Sequence, residues 1–448
     1  MLWRKISNRL DDFFHDSGKK ALLITGARQV GKTYSIRDFG KSHYETFVEF
    51  NFLKNKEACN IFRNVSSEQD VLFRFTALSP KRLHPGKTLI FLDEVQACPE
   101  AMTFMKFLVE EGSYRYILSG SLLGVELKDL RSVPVGYLDE ATMFPLDFEE
   151  FLLANGIDKT VLEHLRGCFD NLTNPDPVVN AKIMRYHALY LITGGMPAVV
   201  QKYLDTNDLR QVYNEQSAIV RAYRRDVTQY DESLRMRLHH IYSLIPSELN
   251  KHNKRFYLKN ATARGRFDRA ESDFIWLKEA GVALPVYNVD DPRPPLELAK
   301  KANLFKLFLN DVGLLCSMYM NGLQLRILNG ETDINFGAVY ENYVAQELTA
   351  HGYDTLFYYN SKKYGEVDFL LEKDGDTLPI EVKSGRDFTI HSALDNLMSE
   401  KAFAIPRALV FSGSGEIIQE NRIVHLPIYF LMFLKRTVFE HPMPYKIE

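Results

Sequence analysis

Residues 26–33 read Gly-Ala-Arg-Gln-Val-Gly-Lys-Thr, directly behind the apolar run Ala21-Leu22-Leu23-Ile24 and ahead of Tyr34–Phe39, which can continue as a helix. The segment fills the pattern G-x-x-x-x-G-K-[ST] in full, in the strand, loop and helix order that the pattern requires. Its glycines let the backbone curl until successive N–H groups face one anion, and the new helix adds its positive end. The loop Gly26, Ala27, Arg28, Gln29, Val30, Gly31, Lys32 and Thr33 is therefore read as a cradle for ATP. Lys32 would reach the β- and γ-phosphates and the Thr33 hydroxyl would hold Mg²⁺.

A loop of this kind needs a parallel sheet to hang from. Ala21–Thr25, Thr46–Phe52, Thr88–Leu92 and Tyr114–Leu118 look like short, largely apolar strands buried in a parallel sheet. Between the last two, Pro99 can start a helix in which Met102 and Met105, and Phe104 and Leu108, follow three- and four-residue spacing. Gly112 can end it. The alternation predicts a doubly wound α/β domain over residues 1–150.

The strand Leu89-Ile90-Phe91-Leu92 ends on Asp93-Glu94. Asp93 would hold Mg²⁺ through water and Glu94 would polarise the attacking water. An acidic pair after a strand is by itself often only a helix cap; following a complete phosphate loop, it points to hydrolysis. The fourth of these strands ends in Ser119-Gly120-Ser121, where either hydroxyl could stand near the γ-phosphate or the lytic water, or simply form a turn.

The runs GARQVGKT, LIFLDEVQ, LSGSLLG and FPLDFEEFL together resemble a prokaryotic family of AAA-type ATPases with a C-terminal domain of unknown function. The resemblance continues through Gly194-Gly195-Met196-Pro197, Tyr223-Arg224-Arg225-Asp226 and Phe305–Leu315, nearly the whole chain. It implies an AAA-type ATPase core (1–150), a helical lid (151–235), a winged-helix segment (236–300) and a restriction-endonuclease-like α/β domain (301–448). Many relatives carry Gly-Arg before the FPLDFEEF-like run, where this chain has Val135-Gly136-Tyr137. Arg224 and Arg225 are the substitutes for an arginine finger or sensor, against the plainer reading of a solvated helix face. An arginine acting in trans would require a homo-oligomer.

Between Asn250 and Ala270 lie Lys251, Lys254, Arg255, Lys259, Arg264, Arg266 and Arg269, with Phe256, Tyr257 and Phe267 interleaved and Asp268 as the one acid. Followed by a helix and the apolar run Gly281–Val289, this suits a winged helix touching phosphates, DNA ahead of RNA. The residues alone fit a solvated, charge-rich hairpin as well. Overall charge does not decide it: 55 Lys and Arg stand against 58 Asp and Glu.

Near the C-terminus, Gly365-Glu366-Val367-Asp368 and Leu378-Pro379-Ile380-Glu381-Val382-Lys383 flank Asp374-Gly375, a hairpin turn pair. In a strand Glu381 and Lys383 share a face. Pairing would bring Asp368 to Glu381, and the two carboxylates could hold a divalent metal while Lys383 orients a water. Glu341, at the start of a helix over about 336–351, could complete the acids. From spacing alone, an amphipathic hairpin with a surface ion pair is the preferred reading. The set resembles the PD-(D/E)xK nuclease superfamily, and that resemblance implies the fold and leaves cleavage open. The rival readings are a nucleotide-driven switch, or a protein remodeller, with a catalytically silent C-terminal docking domain.

Cys59, Cys98, Cys168 and Cys316 form no C-x-x-C pair, which suits a reducing compartment. His239-His240 lack a third ligand at metal spacing. The N-terminus has no apolar signal region, and Ile423–Leu434 is too short to span a bilayer. The sequence reads as a soluble cytoplasmic protein with no membrane contact.

Overall fold

The computed structural model describes residues 2–16, 20–121, 136–226, 232–251, 254–256, 267–319, 323–328, 336–385, 391–413 and 415–436. The chain divides into two compact units, Met1–Pro145 with Phe274–Val282, and Leu146–Asp273 with Ala283–Glu448.

The first unit is built from α1 (Ile6–His15), β1 (Ala21–Thr25), α2 (Lys32–His43), β2 (Thr46–Asn51), α3 (Glu68–Leu78), β3 (Thr88–Asp93), α4 (Pro99–Glu111), β4 (Arg115–Ser119) and β5 (Leu138–Thr142). The strands lie in the order β2-β3-β4-β1-β5, every neighbouring pair parallel. Alternate residues of each central strand feed opposite faces. Leu22, Ile24, Leu89 and Phe91 enter one core, Ala21, Leu23, Ile90 and Leu92 the other. That two-sided burial is why these strands read as unbroken apolar runs. Helix α4 begins at Pro99 and stops where Gly112 takes a left-handed φ of 81°. Strand β5 escaped the sequence reading: Leu138-Asp139-Glu140-Ala141-Thr142 is a half-exposed edge strand with no apolar run to show it.

The second unit opens with α5 (Phe148–Ala154), α6 (Lys159–Asn171), α7 (Pro177–Thr193), α8 (Pro197–Thr206), α9 (Leu209–Asp226) and α10 (Glu232–Leu249). Their boundaries are chemical. Asp147 and Glu150 form a reciprocal capping box on α5, so the acidic part of FPLDFEEFL serves a helix terminus. Asp176 caps α7 and Pro177 occupies its first turn. Helix α11 (Phe267–Glu279) belongs to the second unit up to Asp273 and to the first from Phe274, and the second unit resumes with β6 (Ala283–Val289), β7 (Lys300–Leu309), α12 (Val312–Met318), α13 (Leu323–Leu328) and α14 (Gly337–Ala350). The chain closes with β8 (Leu356–Ser361), β9 (Gly365–Lys373), β10 (Asp376–Lys383), α15 (Ser392–Ser399), β11 (Ala408–Ser412), β12 (Ile418–Glu420) and β13 (Ile423–Pro427).

The strands of this unit form a mixed eight-stranded sheet, β12-β13-β11-β10-β9-β8-β6-β7. The apolar run taken for part of a winged helix is thus a strand of the larger sheet, parallel to β8 and antiparallel to β7. A buried strand and a wing look alike locally, and only partners far along the chain tell them apart. Gly194-Gly195 and Asp311 make a second long-range joint. The buried Asp311 carboxylate accepts Gly195 N–H at 2.6 Å and Leu314 N–H at 2.9 Å. A Cβ on Gly195 would lie 1.9 Å from the Leu146 carbonyl oxygen, which explains the double glycine. No helix among the described residues is long and apolar enough to cross a membrane, and all four cysteines are buried and free.

Candidate active site

The parallel register brings three strand ends into one row: Asn51 beside Asp93, and Asp93 beside Ser119. All converge on the Asp93 carboxylate. Asn51 Nδ2 donates to Oδ2 at 2.7 Å, Ser119 Oγ donates to Oδ1, and Thr33 Oγ1 stands 3.3 Å from each oxygen. Burial raises the Asp93 carboxyl above its usual range, against the lowering effect of Ser119 and Asn51. Thr33 hydroxyl facing a braced carboxylate is a hard-oxygen donor set of the kind Mg²⁺ takes, so these residues fit the ion that the loop implies.

Glu94 follows with a left-handed backbone, φ 58° and ψ 51°. That conformation costs a non-glycine residue about 1–3 kcal/mol and is typical of functional sites. Its Oε2 accepts Ser121 Oγ at 3.2 Å and Gln96 Nε2 at 2.5 Å, while Arg28 Nε donates to Ser121 Oγ at 3.3 Å. Arg28, Ser121 and Glu94 therefore tie the loop to the second acid. The two serines left as alternatives by the sequence divide the work: Ser119 on Asp93, Ser121 on Glu94.

The loop is held from behind. Gly26 has φ 132°, and a Cβ there would fall 2.1 Å from the Met143 carbonyl oxygen. Arg4, itself buried, donates to the Val30 carbonyl at 2.8 Å and the Phe144 carbonyl at 2.6 Å. Gly281 packs near Ala27, with its Cβ position 3.2 Å from the Ala27 nitrogen. Lys32 curls over the loop, donating to the carbonyls of Gly26 and Ala27 at 2.7 Å each. Burial lowers its pKa to about 8, although Glu94 and Asp93 pull it upward.

The other predicted residues lie in the second unit. Arg224 and Arg225 occupy the last turn of α9. Arg225 is exposed and Arg224 half-buried; burial and then the Arg224 charge lower the pKa of His239. Asp374 and Gly375 both have positive φ, 55° and 87°, and make the turn between β9 and β10. The register pairs Ile380 with Phe369, so the next step sets Glu381 opposite Asp368. Asp368 Oδ2 accepts the Val382 N–H at 2.9 Å, and Lys383 Nζ lies 2.8 Å from Glu381 Oε1. Glu341 joins them from α14, buried.

The proposed metal pair there meets a different cation. Lys306, fully buried in β7, lies 2.8 Å from Glu366 Oε1, 3.3 Å from Glu341 Oε2 and 3.8 Å from Asp368 Oδ1. Lys254 bonds the other Glu341 oxygen. Among the described residues no group of three or more His, Cys, Asp or Glu is placed to hold a metal ion, His239 and His240 included.

Comparison with known proteins bears on this geometry. Residues 18–152 match the model of an AAA domain. This chain carries a P-loop AAA-type ATPase domain. Downstream of the ATPase domain, residues 184–326 and 336–431 match two domains of unknown function, DUF8612 and DUF4143. No curated protein matches the chain significantly. Among solved structures, the Walker-type ATPase paby2304 of Pyrococcus abyssi is 14% identical with a TM-score of 0.42, covering 71% of this chain and 96% of that one. The Orc1 protein of Aeropyrum pernix, solved in complex with DNA, is 12% identical with a TM-score of 0.28, covering 72% and 92%. Cdc6p of Pyrobaculum aerophilum is 13% identical with a TM-score of 0.26, covering 73% and 92%.

The ATPase domain holds two supports that sequence reasoning missed. Asn51 is one of many strand-end asparagines until the register sets it beside Asp93. Arg4 stands in an N-terminal segment with no motif around it. The Lys32 shift gives a pH prediction. From about pH 8 upward the free domain loses the Lys32 proton, whereas a bound triphosphate would retain it. ATP affinity should therefore be level from pH 7 to 8 and weaken above it, by up to about tenfold per pH unit, with proton uptake in calorimetry across two buffers. Unchanged affinity to pH 9.5 would contradict this. For folding the sign is opposite: between pH 8 and 10.5 the unfolded chain binds more protons, so this group favours the fold increasingly as pH rises.

Proposed function

We propose that the chain hydrolyses ATP with Mg²⁺ at this loop and that its second unit responds to the nucleotide state. The observation that carries the reading is the meeting of Thr33, Asp93, Asn51 and Ser119 beside a buried Lys32. Lys32 would leave the carbonyls of Gly26 and Ala27 for the β- and γ-phosphates. Thr33 and Asp93 would hold Mg²⁺, which neutralises phosphate charge when bound. Glu94, steadied by Ser121 and Gln96, would take the proton of a water whose oxygen attacks the γ-phosphorus as the bond to the bridging oxygen breaks. Arg225, exposed, is the better placed of the two arginines to meet a neighbouring copy. Arg224 is partly drawn in beside His239.

Nucleic-acid engagement, DNA ahead of RNA, rests on the basic segment. Lys251 is paired with Glu248 and Lys254 with Glu341. Lys259, Arg264 and Arg266 lie outside the described residues, as do Tyr257 and the side chain of Arg269. The burial of Lys254 against Glu341 favours the second reading, a nucleotide-driven switch or protein remodeller whose C-terminal domain docks without cutting. ATP turnover with and without EDTA, then with DNA at low and raised salt, tests both. Mg²⁺-dependent turnover is expected, and turnover indifferent to EDTA would sink the proposal. DNA binding that weakens with salt and alters turnover would restore the nucleic-acid reading; turnover that ignores DNA supports the switch.

A further inference from the structure

The β9–β10 pair with Glu341 gathers the acids that a nuclease would use to hold a divalent metal, yet the residues present do not fit one. Glu341, Asp368 and Glu381 together offer six carboxylate oxygens. Lys254 and Lys306 take the two oxygens of Glu341. The Val382 N–H donates to Asp368 Oδ2 at 2.9 Å, Lys306 faces Asp368 Oδ1 at 3.8 Å without a hydrogen bond, and Lys383 takes Glu381 Oε1. Of these six oxygens, Glu381 Oε2 is buried without a hydrogen-bond partner. A hard divalent ion takes about six oxygen ligands, one or two carboxylates among them and water for several of the rest, and here it would have to enter beside ammonium groups already set among those carboxylates.

Lys306 is a buried cation among acids. Its side chain is fully buried, it also pairs with Glu366 at 2.8 Å, and it lies 5.0 Å from the Tyr358 ring centroid. The neighbouring carboxylates keep it charged, raising its pKa against the effect of burial. Four carboxylates, Glu341, Glu366, Asp368 and Glu381, meet three lysines, Lys254, Lys306 and Lys383. Burial and the neighbouring acids push the Asp368 carboxyl well above the usual range, and burial raises Glu381 against the lowering effect of Lys383.

We propose that Lys306 and Lys254 replace the divalent metal in this acid cluster, which makes it a lysine-neutralised joint between β7, α14, β9 and β10 that holds no metal and cleaves no phosphodiester. The joint lies wholly in the second unit, so its test is independent of the ATP site. Mn²⁺ bound to the full chain without nucleotide, read from the free-ion electron paramagnetic resonance signal, should be equal in the parent and in Asp368→Asn. An additional equivalent of Mn²⁺ in the parent would overturn the proposal. Thermal unfolding reads the lysine directly. Lys306→Met should lower Tm by burying unpaired carboxylates, and Lys306→Met with Glu341→Gln should recover much of that loss. A double variant as unstable as the sum of its two single variants would contradict the pairing. If neither lysine variant folds, the Mn²⁺ comparison decides alone.

Discussion

Glu94→Gln should keep ATP affinity and lose turnover by about 10²- to 10⁴-fold, the range of a positioned general base. The exchange is nearly isosteric. The Gln carbonyl can still accept from Ser121, now 3.2 Å from Glu94 Oε2, and the left-handed backbone at this position is unchanged. What the amide cannot do is receive the proton of water. Binding by calorimetry and turnover by phosphate release separate the two effects. Equal turnover in Glu94→Gln and the parent would remove Glu94 from its role and leave its strained backbone without an account.

Lys32→Ala should remove measurable nucleotide binding. Truncating one partner of a buried, hydrogen-bonded charge pair costs about 2–5 kcal/mol, roughly 30-fold to several thousand-fold in Kd. The fold should survive, because Lys32 without nucleotide satisfies only the Gly26 and Ala27 carbonyls and its charge is disfavoured by burial, with a pKa near 8. A variant with parental Tm and parental affinity would show that the loop binds no triphosphate through this side chain.

How far the sequence discloses these sites depends on how local each cause is. The phosphate loop, Asp93 and Glu94 stand out because the loop needs its glycines and the sheet needs strands buried on both faces. The Asp374-Gly375 turn is equally local, and with it the register that faces Asp368 with Glu381. Long-range causes leave no such trace. Asn51 is positioned by register, β5 is an edge strand without an apolar signature, and β6 is told from a wing only by its pairing with β8. Lys306 is the sharpest case. In sequence it is a charge in an apolar run, and only the fold reveals the carboxylates that keep it there.

Whether the loop binds a magnesium triphosphate through Lys32 is decided by titrating folded parent and Lys32→Ala with Mg²⁺·ATP in a calorimeter. A saturable heat is expected for the parent and is lost in Lys32→Ala, at equal thermal stability of the two proteins. A folded parent that gives no heat at millimolar ATP, or a Lys32→Ala variant that binds as the parent does, would contradict this binding.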